Sequence, residues 1–426
     1  MDKIIVVECI STSMNYIPDI RNLGYEPVIL ETYNDDGGKQ KARREANYKN
    51  MPGEMPRTIE AKPSYEETLE LVKAENPILV LPGSEMSVEL ATHLANDLGL
   101  KCNKAENLMM MTRKSEMQNA CKRAGLRYVK GEMVASFDDA VKFFNDNGRR
   151  PVVVKPTHSA GSLSVHVCTN EEEIKAGFDD VFGSRDMFGG LNDKVLIQEC
   201  IEGTEYIVNT INSEGESYIS ASYVYKKIQL PGGAKIYDYT ESLTKDEITP
   251  ELQEMFDYAI KVMRAIGIEY GPVHSEFMID DKGPVLIEVN CRICGGDMKG
   301  EFLDTMFGHH ESNLSLEAYL DHDAFMKRKQ RGYNPPGKGC FKTLIVREDI
   351  DIVDAPIVRV AKSLPTFVSC VGLYEHTPMH LKKTIDLYSN GGKLSFASSD
   401  VAQVIADREE IRRIERDEYD TMFTLA

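Results

Sequence analysis

Residues 273–292, VHSEFMIDDKGPVLIEVNCR, constrain this chain more than any other stretch. Two runs of alternating residues flank Asp281-Lys282-Gly283, the pattern of an antiparallel hairpin whose three-residue loop puts glycine in the left-handed position. Such a loop pairs Asp280 with Pro284, which sets Glu276 opposite Glu288 and leaves Asn290 on the same face. Phe277, Ile279, Val285, Ile287 and Val289 share the other face, which is apolar throughout and needs a core. His274, Glu276, Glu288, Asn290 and, if the strand continues, Arg292 share the polar face. Two facing carboxylates, ~5 Å apart at Cβ, repel unless a cation lies between them, and Glu, Glu and Asn oxygens suit Mg²⁺. A solvated polar face satisfies the same pattern, so the hairpin alone leaves both readings open.

The first hundred residues alternate strand and helix. Strands are expected at 3–10, 27–31 and 78–81, with helices at 15–23, 64–76 and 84–98; Ser64 to Glu67 spell a capping box. This is a parallel α/β unit, and the first strand is not followed by the Gly-x-Gly-x-x-Gly of a dinucleotide site. Residues 35–57, with Lys39, Lys41, Arg43 and Arg44, read as a long polar loop, either solvated or covering a ligand. From Thr112 the elements shorten: strands end at Lys155 and Glu199, 204–228 alternate like long antiparallel strands, and Thr249-Pro250 starts a helix ending at Gly267. Beyond Pro335-Pro336 come short strands and a charged helix near 400–418. The expected domains are 1–111, 112–198, 199–335 and an appended 336–426.

Charge narrows the partners. With 50 basic and 68 acidic residues in 426, the net charge is −18, which disfavours nucleic acid and anionic membrane surfaces. No apolar run approaches the ~18–20 residues of a membrane span, and Ile4-Ile5-Val6-Val7 is too short for a signal peptide. Nine scattered cysteines fit reduced thiols, so a cytoplasmic location is expected. Cys291 and Cys294 lack a second pair for zinc and read as small packing residues; His309-His310 reads as surface.

Three further segments could handle phosphate or purine. Val152-Val153-Val154-Lys155 delivers a lysine into a small hydroxyl-rich loop containing Ser159, Gly161 and Ser162, whose N–H groups could wrap phosphate. Lys114 opens a helix against the dipole, a cost that phosphate binding would explain. The connection Glu199-Cys200-Ile201-Glu202-Gly203-Thr204-Glu205 could offer backbone groups to a purine edge. Each segment alone reads equally well as a surface feature.

In order, Lys114, the Lys155 strand with its Gly161-Ser162 loop, Glu199…Gly203-x-Glu205 and Glu276…Glu288-x-Asn290 resemble the ATP-grasp superfamily over roughly residues 1–310. Within it, residues 198–206, 236–239 and 288–296 look like the L-amino-acid ligases of dipeptide biosynthesis. The resemblance implies an α/β and α+β protein: an N-terminal parallel-sheet domain, a small central lid and a C-terminal antiparallel-sheet domain. It implies ATP, with Lys114 and Lys155 on the phosphates under the 158–164 loop, Glu199, Cys200 and Ile201 at adenine, and Glu205 at ribose. It further implies one or two Mg²⁺, or Mn²⁺ in their place, on Glu276, Glu288 and Asn290. Arg292 would hold the substrate carboxylate or acyl phosphate, Gly295 and Gly296 would offer N–H groups to it, and Tyr237 and Asp238 would line the substrate pocket. His274 lies on the site face, either as a base or as a hydrogen-bonded support. The implied reaction joins an amino acid or similar small carboxylate to an amine through an acyl phosphate, releasing ADP and phosphate, with a dipeptide as the expected product. The alternatives are an ATP-grasp carboxylase, a peptide-tailoring ligase and, outside enzymes, a nucleotide-binding regulatory module; many relatives of this kind pair as dimers.

Overall fold

A computed structural model describes residues 1–32, 44–45, 48–49, 53–158, 164–186, 189–229, 235–385 and 389–426. The N-terminal sheet is parallel, in the spatial order Arg57–Glu60, Glu26–Glu31, Lys3–Val7, Pro77–Pro82. Its edge strand Arg57–Glu60 begins where the sequence reads as the end of a loop. The expected capping forms: Ser64 Oγ accepts from Glu67 N–H, and Asn76 closes helix Tyr65–Glu75 in the left-handed region. Arg44 does not belong to a solvated cluster. It is buried, with its guanidinium on the Glu8 carboxylate and the Thr32 carbonyl, because a charge this deep in the fold must be paired.

A smaller antiparallel sheet follows, in the order Gly131–Val134, Val195–Glu199, Val152–Lys155, His166–Cys168. Helices Phe137–Asp146 and Glu171–Val181 close its apolar face over Phe144, Val152, Val154 and Ile174.

The largest sheet has eight antiparallel strands, from Gly283–Asn290 at one edge through Gly271–Asp280, Thr204–Ser213, Glu216–Gln229 and Lys235–Ser242. Lys338–Thr343, Lys393–Ser398 and Phe367–Val371 continue it, so the C-terminal segment adds strands to this sheet. Helix Pro250–Ile266, capped by Thr249 and ended by Gly267 in the left-handed region, packs on the hairpin edge. Met255, Phe256, Ala259 and Val262 meet Phe277, Leu286 and Val289 there; burying each large apolar side chain contributes roughly 1.5–3 kcal/mol.

The hairpin differs from expectation in one respect. Asp280 pairs with Gly283, one residue tighter than read from the sequence, and a bulge between Glu276 and Phe277 then restores the expected Glu276–Glu288 pairing. On the turn side of the bulge Leu286 therefore joins Phe277 in the core beneath helix Pro250–Ile266, while Val285 is buried on the opposite face and Ile287 is only half-buried. Gly283 does take the left-handed conformation, at φ +92°. Among the described residues, no helix is long and apolar enough to cross a membrane.

Candidate active site

Two lysines and two glutamates meet between the smaller antiparallel sheet and the hairpin edge of the large one. Lys114 begins helix Lys114–Arg123, and its backbone N–H donates to the Thr157 carbonyl at 3.1 Å. The helix start is thereby tied to the segment just past Lys155, the last residue of its strand. Both lysines are buried, at 8% and 7% exposure. Lys114 Nζ lies 2.8 Å from Glu288 Oε2. Burial and the adjacent Lys114 push the Lys155 ammonium down to about 8, against the pull of Glu288 and Glu276. Burial would raise Glu288, but the charge and hydrogen bond of Lys114 outweigh it and hold the carboxyl at about 2.

Asn290 donates its Nδ2–H to Glu288 Oε1 at 3.1 Å and to the His274 carbonyl at 3.4 Å, which leaves Oδ1 as its donor atom for a cation. Two carboxylates and one amide oxygen are hard ligands, and they fit Mg²⁺ or Mn²⁺ with positions left for water and phosphate oxygens. Among the described residues, no three His, Cys, Asp or Glu side chains converge as a metal cage.

His274 is held by a buried relay. Asn209 Nδ2 donates to the Glu311 carboxylate, which fixes the amide so that its Oδ1 accepts from His274 Nδ1–H at 2.9 Å. His274 Nε2 then faces Glu276 Oε1 at 3.7 Å. Burial disfavours the imidazolium; the neighbouring Cys294 sulfur and Glu276 carboxylate outweigh it and raise His274 to about 10. With Nδ1–H donated to Asn209 Oδ1, Nε2 is the ring nitrogen turned toward Glu276.

Glu205 makes an ion pair with Lys227, whose ammonium sits 4.7 Å above the Tyr237 ring, and Tyr225 packs on that ring at 4.6 Å. Burial and nearby Glu276 raise the Glu205 carboxyl. Tyr237 thus joins the carboxylate cluster. Asp238 does not: it lies on the opposite face of the strand, buried, paired with Lys342 at 2.8 Å and Arg412 at 2.9 Å. Strand alternation alone separates these two neighbours. Glu199 accepts from Lys130 N–H at 2.9 Å and Cys200 N–H donates to the Pro151 carbonyl at 3.0 Å, with Ile201 half-buried beside them. Ser159, Gly161 and Ser162 lie outside the described residues.

Arg292 Nε lies 3.3 Å from Glu85 Oε2. Glu85 follows the C-terminal end of strand Pro77–Pro82, where open parallel sheets gather ligands, and that position is the signal that could have found it. Burial raises its carboxyl, while Arg292, Lys114 and His274 pull it down. Glu311 was equally missed; at a helix start it reads as ordinary dipole compensation, yet it accepts from Cys294 N–H at 2.7 Å as well as from Asn209. The exposed Gly295-Gly296 turn, with Gly296 at φ +107°, swings the chain so that Asp297 N–H meets Ser11 Oγ at 3.0 Å. Cys291 and Cys294 are buried free thiols. His309 and His310 are not on the surface: His309 bonds the Ser220 carbonyl, and His310 lies between Asp19 and Asp304.

Residues 148–301 match the ATP-grasp domain profile. These residues carry an ATP-grasp domain. The chain is 27% identical over 349 residues to dapdiamide A synthase of Enterobacter agglomerans, covering 80% of each chain. Its fold superposes on that of an L-amino acid ligase from Bacillus licheniformis with a TM-score of 0.74, at 14% identity and over 100% and 98% of the two chains. The biotin carboxylase domain of a Hydrogenobacter thermophilus 2-oxoglutarate carboxylase, solved with MgADP and bicarbonate, superposes with a TM-score of 0.65 at 16% identity over 99% and 96% of the two chains.

Proposed function

We propose that this protein is an ATP-dependent carboxylate–amine ligase that joins two amino acids. The observation that carries the reading is the meeting of Lys114 and Lys155 with the facing pair Glu276 and Glu288, next to Arg292. Two buried ammoniums form a seat for phosphate oxygens, and the carboxylate pair with Asn290 forms a seat for Mg²⁺. When bound, Mg²⁺ would supply charge neutralisation at the phosphates.

The two-step chemistry follows from these groups. A substrate carboxylate held by Arg292 attacks the γ-phosphorus of ATP, forming an acyl phosphate as ADP leaves. The amine then attacks the acyl carbon and phosphate departs, giving the amide. The protein contributes positioning and charge; no enzyme nucleophile is needed. Lys155 and Lys114 hold the phosphates, Glu205 with Lys227 lies toward the ribose, and the strand end at Glu199 to Ile201 serves the adenine edge. The domain roles are 1–111 and 199–335 as walls, 112–198 as lid and 336–426 as the extension of the large sheet. Similarity to dapdiamide A synthase and to an L-amino acid ligase supports amino-acid substrates.

Trapping the acyl phosphate tests the reading. With ATP, Mg²⁺, a mixture of amino acids and hydroxylamine, the expected product is an amino-acid hydroxamate, formed in equal amount with ADP. Hydroxamate accompanied by AMP would overturn the phosphoryl mechanism.

A further inference from the structure

A cavity of about 410 Å³ opens behind the large sheet, between the strand carrying Asp238 and the C-terminal helix Val401–Asp417. It is separate from the carboxylate cluster, because Tyr237 faces that cluster and Asp238 faces the cavity. Its wall is apolar at Ile228, Ile345 and Val346. Arg347, Lys383, Arg412 and Arg416 also line it, against only two carboxylates, Asp238 and Glu415.

Both carboxylates are already saturated. Asp238 is shared by Lys342 and Arg412, and Glu415 takes Lys342 Nζ at 2.6 Å and Ile345 N–H at 2.8 Å. Arg412 and Arg416 are paired as well, with Glu409 and Asp417, but Arg347 and Lys383 are not. Arg347 spends a guanidinium N–H on the Glu415 carbonyl at 2.8 Å and stacks on Tyr419 at 4.1 Å, but among the described residues it has no carboxylate partner. The Lys383 ammonium, exposed at the mouth, has none either. A surplus of two cations beside an aliphatic wall, on a chain of net charge −18, is a local arrangement that attracts an anion with an apolar body.

We propose that this cavity is a second ligand site, for a small organic carboxylate with an aliphatic body. The carboxylate meets Arg347 and Lys383, and the aliphatic part lies on Ile228, Ile345 and Val346. Inorganic phosphate matches the cations but leaves the apolar wall unused.

Calorimetric titration of the full-length protein with 4-methylpentanoate, 4-methylpentanamide and inorganic phosphate tests this. Saturable one-to-one binding of the acid is expected, retained in Arg292→Gln, which removes the catalytic-site carboxylate contact. Lys383→Glu, at an exposed position, should weaken it about tenfold while leaving ATP binding unchanged, and the amide and phosphate should bind at least that much more weakly. Four results would overturn the proposal: no saturable binding of the acid, equal binding of the amide or phosphate, no effect of Lys383→Glu, or loss of binding in Arg292→Gln.

Discussion

Lys114 Nζ lies 2.8 Å from Glu288 Oε2, and this pair ties the start of one helix to the edge strand of the large sheet. Both side chains are largely buried, at 10% and 14% exposure, so removing one partner leaves a charge with little solvent. Lys114→Met should cost on the order of 3 kcal/mol in urea unfolding without nucleotide or metal. The double variant Lys114→Met/Glu288→Gln should recover most of that loss. A double variant no more stable than the single one would show that the pair does not carry the effect.

His310 gives stability a pH dependence. Its Nε2 lies 3.0 Å from Asp19 and its Nδ1 2.8 Å from Asp304, so this residue at the start of helix Glu311–Leu320 joins helix Tyr16–Asn22 to helix Gly300–Phe307. Burial opposes the imidazolium, yet the two aspartates raise it from 6.5 to about 9. A raised folded-state value means the contribution is complete below about 6.5 and is lost as pH rises through about 9. It amounts to on the order of 3 kcal/mol. Chemical unfolding at pH 6 and pH 9.5 should show a drop in the wild type that His310→Gln removes.

Asp238 is a test of face. Because Lys342 is fully buried between Asp238 and Glu415, Asp238→Ala should lower stability by about 2–3 kcal/mol. It should leave kcat/KM for ATP unchanged within about twofold, since the residue turns away from the carboxylate cluster. A steep fall in kcat/KM with unchanged stability would return Asp238 to the substrate pocket.

Metal dependence follows from the facing glutamates. Turnover should stop when EDTA is added and return with Mg²⁺, and Glu288→Gln should raise the Mg²⁺ needed for half-maximal rate at least tenfold, or roughly 1.4 kcal/mol. An unchanged Mg²⁺ requirement would remove Glu288 from the metal set.

The site was legible wherever local rules dominate. Period-two alternation, broken by Asp-Lys-Gly, places Glu276 opposite Glu288 even though the turn is tighter than expected, because the bulge cancels the one-residue slip. The helix caps at Ser64, Thr249 and Gly267 follow from side-chain chemistry within a few residues. Illegible were the features made by distant segments. Nothing local marks Asn209 or Glu311 as parts of the His274 relay, or buries Arg44 against Glu8, because their partners lie 36 to 102 positions away in the chain. Asp238 and Tyr237 are adjacent in sequence, and only knowing which face of their strand meets the hairpin sheet and which meets helix Val401–Asp417 separates them.

The most direct measurement of the ligase reading is product identification. Purified protein is incubated with ATP, Mg²⁺ and pairs of amino acids, and the nucleotides and condensation products are identified by mass spectrometry. ADP together with a product equal in mass to two amino acids less one water is the expected result. Amide product accompanied by AMP, or ATP hydrolysed to ADP with no condensation product for any carboxylate and amine offered, would contradict it.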